Sequence, residues 1–243
     1  MTGIAGTLNV SPDADAMARA AADWFAKTLE AREGPLRVAL SGGNTPRRFY
    51  TLLGNPEHRN RIPWSRVDFY FGDERFVPHD SADSNFHTVR ETLMATARID
   101  PRRVHAIPTT GTPDESARAY EAELKQAYGS STLDPARPLF DVTLLGLGSD
   151  GHTASLLPGQ PVLGERRHWV AAVSRGRPEA RITLTFPALD SSSVVAFLVA
   201  GADKAAALAR ARAGDAAIPA GRLRALGEVV WFADKEAAGR SSP

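Results

Sequence analysis

Hydrophobic positions along this chain recur with two periods. Between residues 11 and 32, Met17, Ala21, Trp24, Phe25 and Leu29 return at three- and four-residue spacing, which is the period of a helix with one buried face. Ser11 and Pro12 precede the stripe and suit an N-cap and a first helical turn, so a helix is expected to begin there. The apolar runs at residues 36–40, 67–71, 140–145, 169–173, 181–185, 194–200 and 229–232 are too short for helices and read as strands, with a further short strand over residues 104–107. Helices are expected over residues 47–53, from 85 to about 94, and over 114–128 and 202–211. Strands and helices therefore alternate, and the strands are apolar on both faces. That pattern predicts an α/β fold with a Rossmann-like, doubly wound, mostly parallel sheet flanked by helices. No repeat, low-complexity block or linker interrupts residues 1–243, so a single domain is expected.

Composition narrows the function classes. The 243 residues are 43% hydrophobic and 23% charged, an ordinary globular balance. Twenty-nine basic residues stand against 28 acidic ones, which argues against nucleic-acid and membrane partners. The chain has no cysteine, which removes disulfides, thiolate nucleophiles and cysteine-zinc sites and fits a cytoplasmic protein. The first residues lack a charged start followed by an apolar segment, and no run approaches a membrane span. His58, His79, His87, His105 and His168 follow no metal-binding spacing, so neither a metal nor a cofactor is expected. Monomer and small homo-oligomer both remain open.

Three polar loops follow predicted strands, and ligands of open parallel sheets bind beyond the carboxyl ends of the strands. The first is Ser41-Gly42-Gly43-Asn44-Thr45-Pro46. Its glycines let the backbone approach an anion, its hydroxyls donate to one, and Pro46 suits a first helical turn. Alone, the hexapeptide fits an ordinary strand-to-helix turn equally well. The second loop, Gly72-Asp73-Glu74-Arg75-Phe76-Val77-Pro78, sets two acids and an arginine directly after a hydrophobic strand. The arginine can grip a phosphate with two N–H groups and the acids can hold hydroxyls, although a solvated charged loop reads the same way. The third loop, Gly146 to Gly159, places His152 among glycines with Asp150 two residues before it. A histidine suits general-base work near neutral pH, and an acid at that spacing can orient its ring. Lys204 is one of only four lysines and opens a helix at the same sheet end, and Arg181 begins a strand that can reach the same crevice.

Taken together, these stretches resemble the 6-phosphogluconolactonase family, within the larger glucosamine-6-phosphate isomerase and deaminase group. The matching segments are residues 40–46, residues 72–78 with Ser84 and Asn85, residues 145–159, residues 181–185, Gly201 to Lys204, and residues 218–220. The resemblance implies hydrolysis of 6-phospho-D-glucono-1,5-lactone in the oxidative pentose phosphate pathway, without a cofactor. It implies His152 as the water-activating base, and Asp150, by its position two residues before it, is expected to support the ring. Ser41, Gly42, Gly43, Asn44, Thr45, Arg75, Arg181 and Lys204 are then expected to bind the phosphate and sugar, and Asp73 is expected beside them from its position in the second loop. The sister deaminases follow their histidine with Ile-Ala-Phe-Asn-Glu-Pro, whose glutamate assists ring opening. Here the residues are Thr153-Ala154-Ser155-Leu156-Leu157-Pro158, which disfavours the aminosugar-phosphate alternative. A non-catalytic sugar-phosphate sensor is the other alternative, and such sensors usually carry a DNA-binding domain for which the expected single domain leaves no room. A serine nucleophile would need a GxSxG elbow, which is absent from the sequence.

Overall fold

The computed structural model describes residues 4–239. In chain order its strands are β1 (Thr7–Ser11), β2 (Leu36–Leu40), β3 (Val67–Phe71), β4 (Asp73–Arg75), β5 (Val142–Gly146), β6 (Val170–Val173), β7 (Arg181–Leu184), β8 (Val194–Val199) and β9 (Glu228–Asp234). The helices are α1 (Ala14–Glu30), α2 (Asn44–Leu53), α3 (Pro56–Arg59), α4 (Asn85–Val89), α5 (Ala95–Ala97), α6 (Pro113–Tyr128), α7 (Phe186–Asp190) and α8 (Ala205–Arg212). A π-helical turn, Arg90–Met94, joins α4 to α5.

Six strands make one parallel sheet in the order β1-β9-β8-β5-β2-β3. Every residue of β8, at its centre, is buried, as an apolar strand covered on both faces should be. Phe197 on β8 stacks on Trp231 of β9 at 3.9 Å. On one flank, Trp24 of α1 meets Phe232 of β9 at 5.3 Å, and Phe25 meets Phe49 of α2 edge-on at 5.5 Å. These contacts belong to one continuous hydrophobic core. Helix α6 starts with a reciprocal Thr112 and Glu115 capping box and ends at Gly129 in the left-handed region, at φ 77°. Among the described residues no helix is long and apolar enough to cross a membrane.

The structure corrects several local expectations. Ser11 ends β1, where it pairs with Asp234, and the cap of α1 is Asp13, whose side chain accepts from the Ala16 N–H at 2.7 Å. Residues 104–107 form no strand: Val104 makes one isolated bridge to Phe69 and His105 donates to the Phe69 carbonyl at 2.8 Å. The chain then leaves the edge toward Pro108, which has no N–H for a ladder. Helix α2 begins at Asn44, so Asn44 and Thr45 lie in its first turn rather than before it. Finally, β4, β7 and β6 form a separate antiparallel sheet. Its β4 strand is Asp-Glu-Arg, charged throughout and without the apolar alternation by which strands are read.

At the β3 edge, His105 stacks on Tyr70 at 4.4 Å and its Nδ1 meets Glu123 of α6 at 2.6 Å. The Glu123 hydrogen bond raises the pKa of His105, against burial and with help from Asp68. A raised folded-state value means that this contribution to stability is full below the unfolded histidine pKa and is lost as pH rises through the folded one. Thermal denaturation from about pH 6 to about pH 9 should therefore show the advantage of wild type over His105→Gln shrinking as pH rises. A pH-independent difference would mean that the Glu123 contact contributes nothing.

Candidate active site

From β2 the chain passes to β3 on one side, and β5 then enters on the other side of β2. The loops after β2 and β5 therefore diverge, which opens a crevice at the carboxyl edge of the sheet. Two buried tyrosines secure the strand tips there. The Tyr50 hydroxyl donates to the Ser41 carbonyl at 2.6 Å and accepts from the Ser41 N–H at 3.0 Å. Tyr120 treats Phe71 in the same way, at 3.1 and 2.7 Å. These strand ends have run out of ladder partners, and the hydroxyls supply them. Burial pushes the pKa of both phenols well up, so both stay protonated and able to donate.

The crevice is a cavity of about 220 Å³. Ser41, Gly42, Gly43 and Thr45 come to it from the β2 loop and the first turn of α2, Asp73 and Arg75 from β4, and Arg181 from the facing position on β7. His152 arrives from the β5 loop and Lys204 from the turn after β8. Gly43 has φ 95° at the N-cap of α2, a conformation open to glycine. Its turn leaves the α2 N-terminus, with its unpaired N–H groups, at the cavity.

The cationic side chains are held in different ways. Arg75 donates to the Asp83 carbonyl at 2.6 Å, and Lys204 pairs with Asp203 at 2.9 Å. Arg181 is more enclosed: burial lowers its pKa, with Asp73 opposing, and its buried Nε finds no acceptor among the described residues. A buried donor without a partner is costly, and an anion in the cavity would satisfy it. Among the described residues no group of three or more histidine, aspartate or glutamate side chains could hold a metal ion.

Asp73 and Glu74 do different work. Asp73 accepts from Ser155 Oγ at 2.6 Å, and the Asn85 amide donates to its main-chain carbonyl at 2.8 Å. Glu74 turns away from the cavity and accepts from the N–H groups of Asn85 and Phe86 and from the Ser84 hydroxyl, at 2.7 to 2.9 Å. It thus anchors the start of α4 and fixes Asn85 in the cavity wall. Burial pushes the Glu74 carboxyl up, while these donors stabilise its charged form.

His152 carries the most specific geometry. Its Nδ1 lies 2.5 Å from Asp150 Oδ1, the same oxygen accepts from the His152 N–H at 3.1 Å, and Arg177 approaches Asp150 Oδ2 at 3.3 Å. Burial pushes the Asp150 carboxyl up, but the His152 backbone, its ring and Arg177 outweigh it and hold the pKa below the ordinary value. A charged Asp150 assigns the proton to Nδ1 and leaves Nε2 as the free nitrogen. Gly148 makes this packing possible, since a Cβ there would lie 2.0 Å from Nδ1. Gly42 is equally constrained, with a Cβ meeting the Asn85 side chain at 1.8 Å.

All but two of the expected site residues line the cavity. Asn44 is exposed and outside the lining, and Asp150 reaches the cavity only through His152. Sequence reasoning passed over Asn85 and Arg177 as site residues. The Ser84-Asn85 pair was a visible signal for the first, and a lone arginine in a polar loop gave none for the second.

The parallel sheet, the divergent loops and a cationic cavity beside a histidine and carboxylate pair define an α/β enzyme that holds an anionic substrate. The family model described as glucosamine-6-phosphate isomerases/6-phosphogluconolactonase matches residues 12–231, and the chain belongs to that family. A 6-phosphogluconolactonase from Nostoc sp. is 35% identical over 240 residues, covering 95% of this chain and 96% of that protein. The crystal structure of 6-phosphogluconolactonase from Thermotoga maritima superposes with a TM-score of 0.81 at 31% identity, covering 94% of this chain and 99% of the other. That of the Trypanosoma cruzi 6-phosphogluconolactonase gives 0.85 at 28% identity, covering 100% and 99%.

Because a methyl group at residue 148 would displace the imidazole from Asp150, Gly148→Ala should lower kcat on 6-phosphogluconolactone by about 100-fold. Gly164→Ala, where an added Cβ meets nothing within 4 Å, serves as the control. Matched turnover in the two variants, with both folded, would show that the fit around His152 is unimportant.

Proposed function

We propose that this protein hydrolyses 6-phospho-D-glucono-1,5-lactone to 6-phospho-D-gluconate in the oxidative pentose phosphate pathway, as a cytoplasmic enzyme. The observation that carries the reading is the His152 and Asp150 pair in the wall of a cavity that also presents Arg75, Arg181 and Lys204. A δ-lactone is a reactive ester. It needs a base for water, stabilisation of the oxyanion and a grip on the distant phosphate.

In the mechanism, Arg181, Lys204 and Arg75 take the phosphate and sugar together with the Ser41 to Thr45 turn, whose helix N-terminus favours an anion. Binding at this remote group sets the lactone carbonyl against His152. The free Nε2 removes a proton from water as its oxygen attacks C1, and the developing imidazolium is steadied by Asp150. When the C1–O5 bond breaks, the imidazolium returns that proton to O5, which becomes the hydroxyl of the open chain. The new carboxylic acid then ionises, so each turnover releases one proton. Asp73, held by Ser155, and Asn85 are placed to meet sugar hydroxyls. The deaminase alternative gains nothing from the site, because residue 157, where its glutamate would fall, is the buried Leu157.

Acid release from freshly generated lactone, measured against spontaneous hydrolysis, tests this reading. Wild type should accelerate release, His152→Ala should lose about 10²- to 10⁴-fold in kcat, and Arg181→Ala should chiefly raise KM. Near-full activity of His152→Ala would defeat the general-base role. No acceleration by wild type, with ammonia released from glucosamine 6-phosphate, would establish the rival reaction.

A further inference from the structure

A second cavity, of about 360 Å³, is lined by Arg166, Phe186, Pro187, Asp190, Arg222 and Arg224. It shares no lining residue with the catalytic cavity. Helix α7 runs from it into β8, and residues 222 and 224 lead into β9, so it lies at the amino-terminal edge of the sheet, opposite His152. Three arginines line it, Arg222 half-buried and Arg166 and Arg224 exposed. Arg166 Nη1 donates to the carbonyls of Leu163 and Glu165 at 3.0 and 2.7 Å. Arg222 Nε donates to Ala216 at 2.6 Å, and Arg224 Nη1 to Gly221 and Leu223 at 3.1 and 2.7 Å. Among the described residues these hydrogen-bond partners are all main-chain carbonyls, which pin each group without neutralising it.

Among the described residues Asp190 is the one acid in the lining, and its Oδ1 is occupied by the Arg224 backbone N–H at 2.6 Å. Burial pushes its carboxyl up to about 6, against the pull of Arg224 and Arg166. Water and salt screen the repulsion among these partly exposed groups, but three positive charges facing one carboxylate still leave a net positive lining that favours an anion. The Arg166 guanidinium also lies 5.7 Å from the Phe186 ring centroid, within reach of a cation–π contact.

We propose that this cavity binds the phosphate group of a small phosphorylated metabolite, at a site separate from the catalytic one. Guanidinium groups match phosphate oxygens with paired N–H donors, and three of them offer more donors than one carboxylate can accept. The volume exceeds what a bare phosphate fills and falls in the range of small-molecule sites. The assignment is independent of which reaction occurs at His152.

Titration calorimetry with inorganic pyrophosphate at low ionic strength tests the site. Wild type should bind two equivalents per chain. Arg181→Ala should lose one, and the double variant Arg166→Gln, Arg224→Gln should lose the other while its turnover of 6-phosphogluconolactone stays unchanged without pyrophosphate. Arg222→Gln, a single change that leaves the other two cations in place, should weaken the second equivalent by about tenfold, the scale of one charge-assisted bond. A folded double variant that binds as many equivalents as wild type overturns the proposal. In Arg181→Ala, a sugar phosphate should bind more tightly than inorganic phosphate, and equal binding would overturn the metabolite assignment in favour of the free ion.

Discussion

The site depends on an approach of loops so close that only glycine fits at two positions. At residue 148 a Cβ would occupy the place of the His152 ring, and at residue 42 it would occupy the place of the Asn85 amide. The two glycines sit on opposite sides of the crevice that opens where β2 and β5 send their loops apart. Sheet topology creates the gap, and the missing side chains let the functional groups fill it. The rest of the site is organised around keeping that polar, partly buried junction satisfied. Tyr50 and Tyr120 complete the strand tips, Glu74 anchors α4, and Ser155 and Asn85 hold Asp73 and its backbone.

Charge is divided across the cavity in a way that matches lactone chemistry. Each carboxylate near the cavity is already engaged: Asp73 by Ser155, Glu74 by α4, and Asp150 by His152 and Arg177. Arg181, by contrast, keeps a buried donor without a partner among the described residues. The cavity therefore presents an unmet demand for an anion on one side and an oriented imidazole on the other. A phosphorylated ester with its carbonyl distant from its phosphate satisfies both.

The sequence made the three loops legible because their signals are local. Glycines, charges and a histidine directly after apolar runs mark strand ends without knowledge of the partner strands. What escaped it was tertiary. Strand β1 has only Leu8 and Val10 to announce it and exists because β9 offers a parallel ladder. The acidic and basic β4 becomes a strand by pairing with β7. Asn85 earns its place through Asp73, 12 residues away, and Arg177 through Asp150, 27 away. Asn44 looked like part of the phosphate loop by position, but the helix begins at that residue and turns it outward.

The central claim is that Asp150 fixes the proton of His152 on Nδ1 and leaves Nε2 free for water. Nitrogen NMR of histidine-labelled protein, with His152 assigned by comparison with His152→Gln, reads that proton position directly in the neutral ring. The account predicts the Nδ1–H tautomer, with a shift toward the Nε2–H tautomer, which an unpaired histidine ring favours, in Asp150→Ala. A neutral His152 with its proton on Nε2 in the wild-type protein would contradict it.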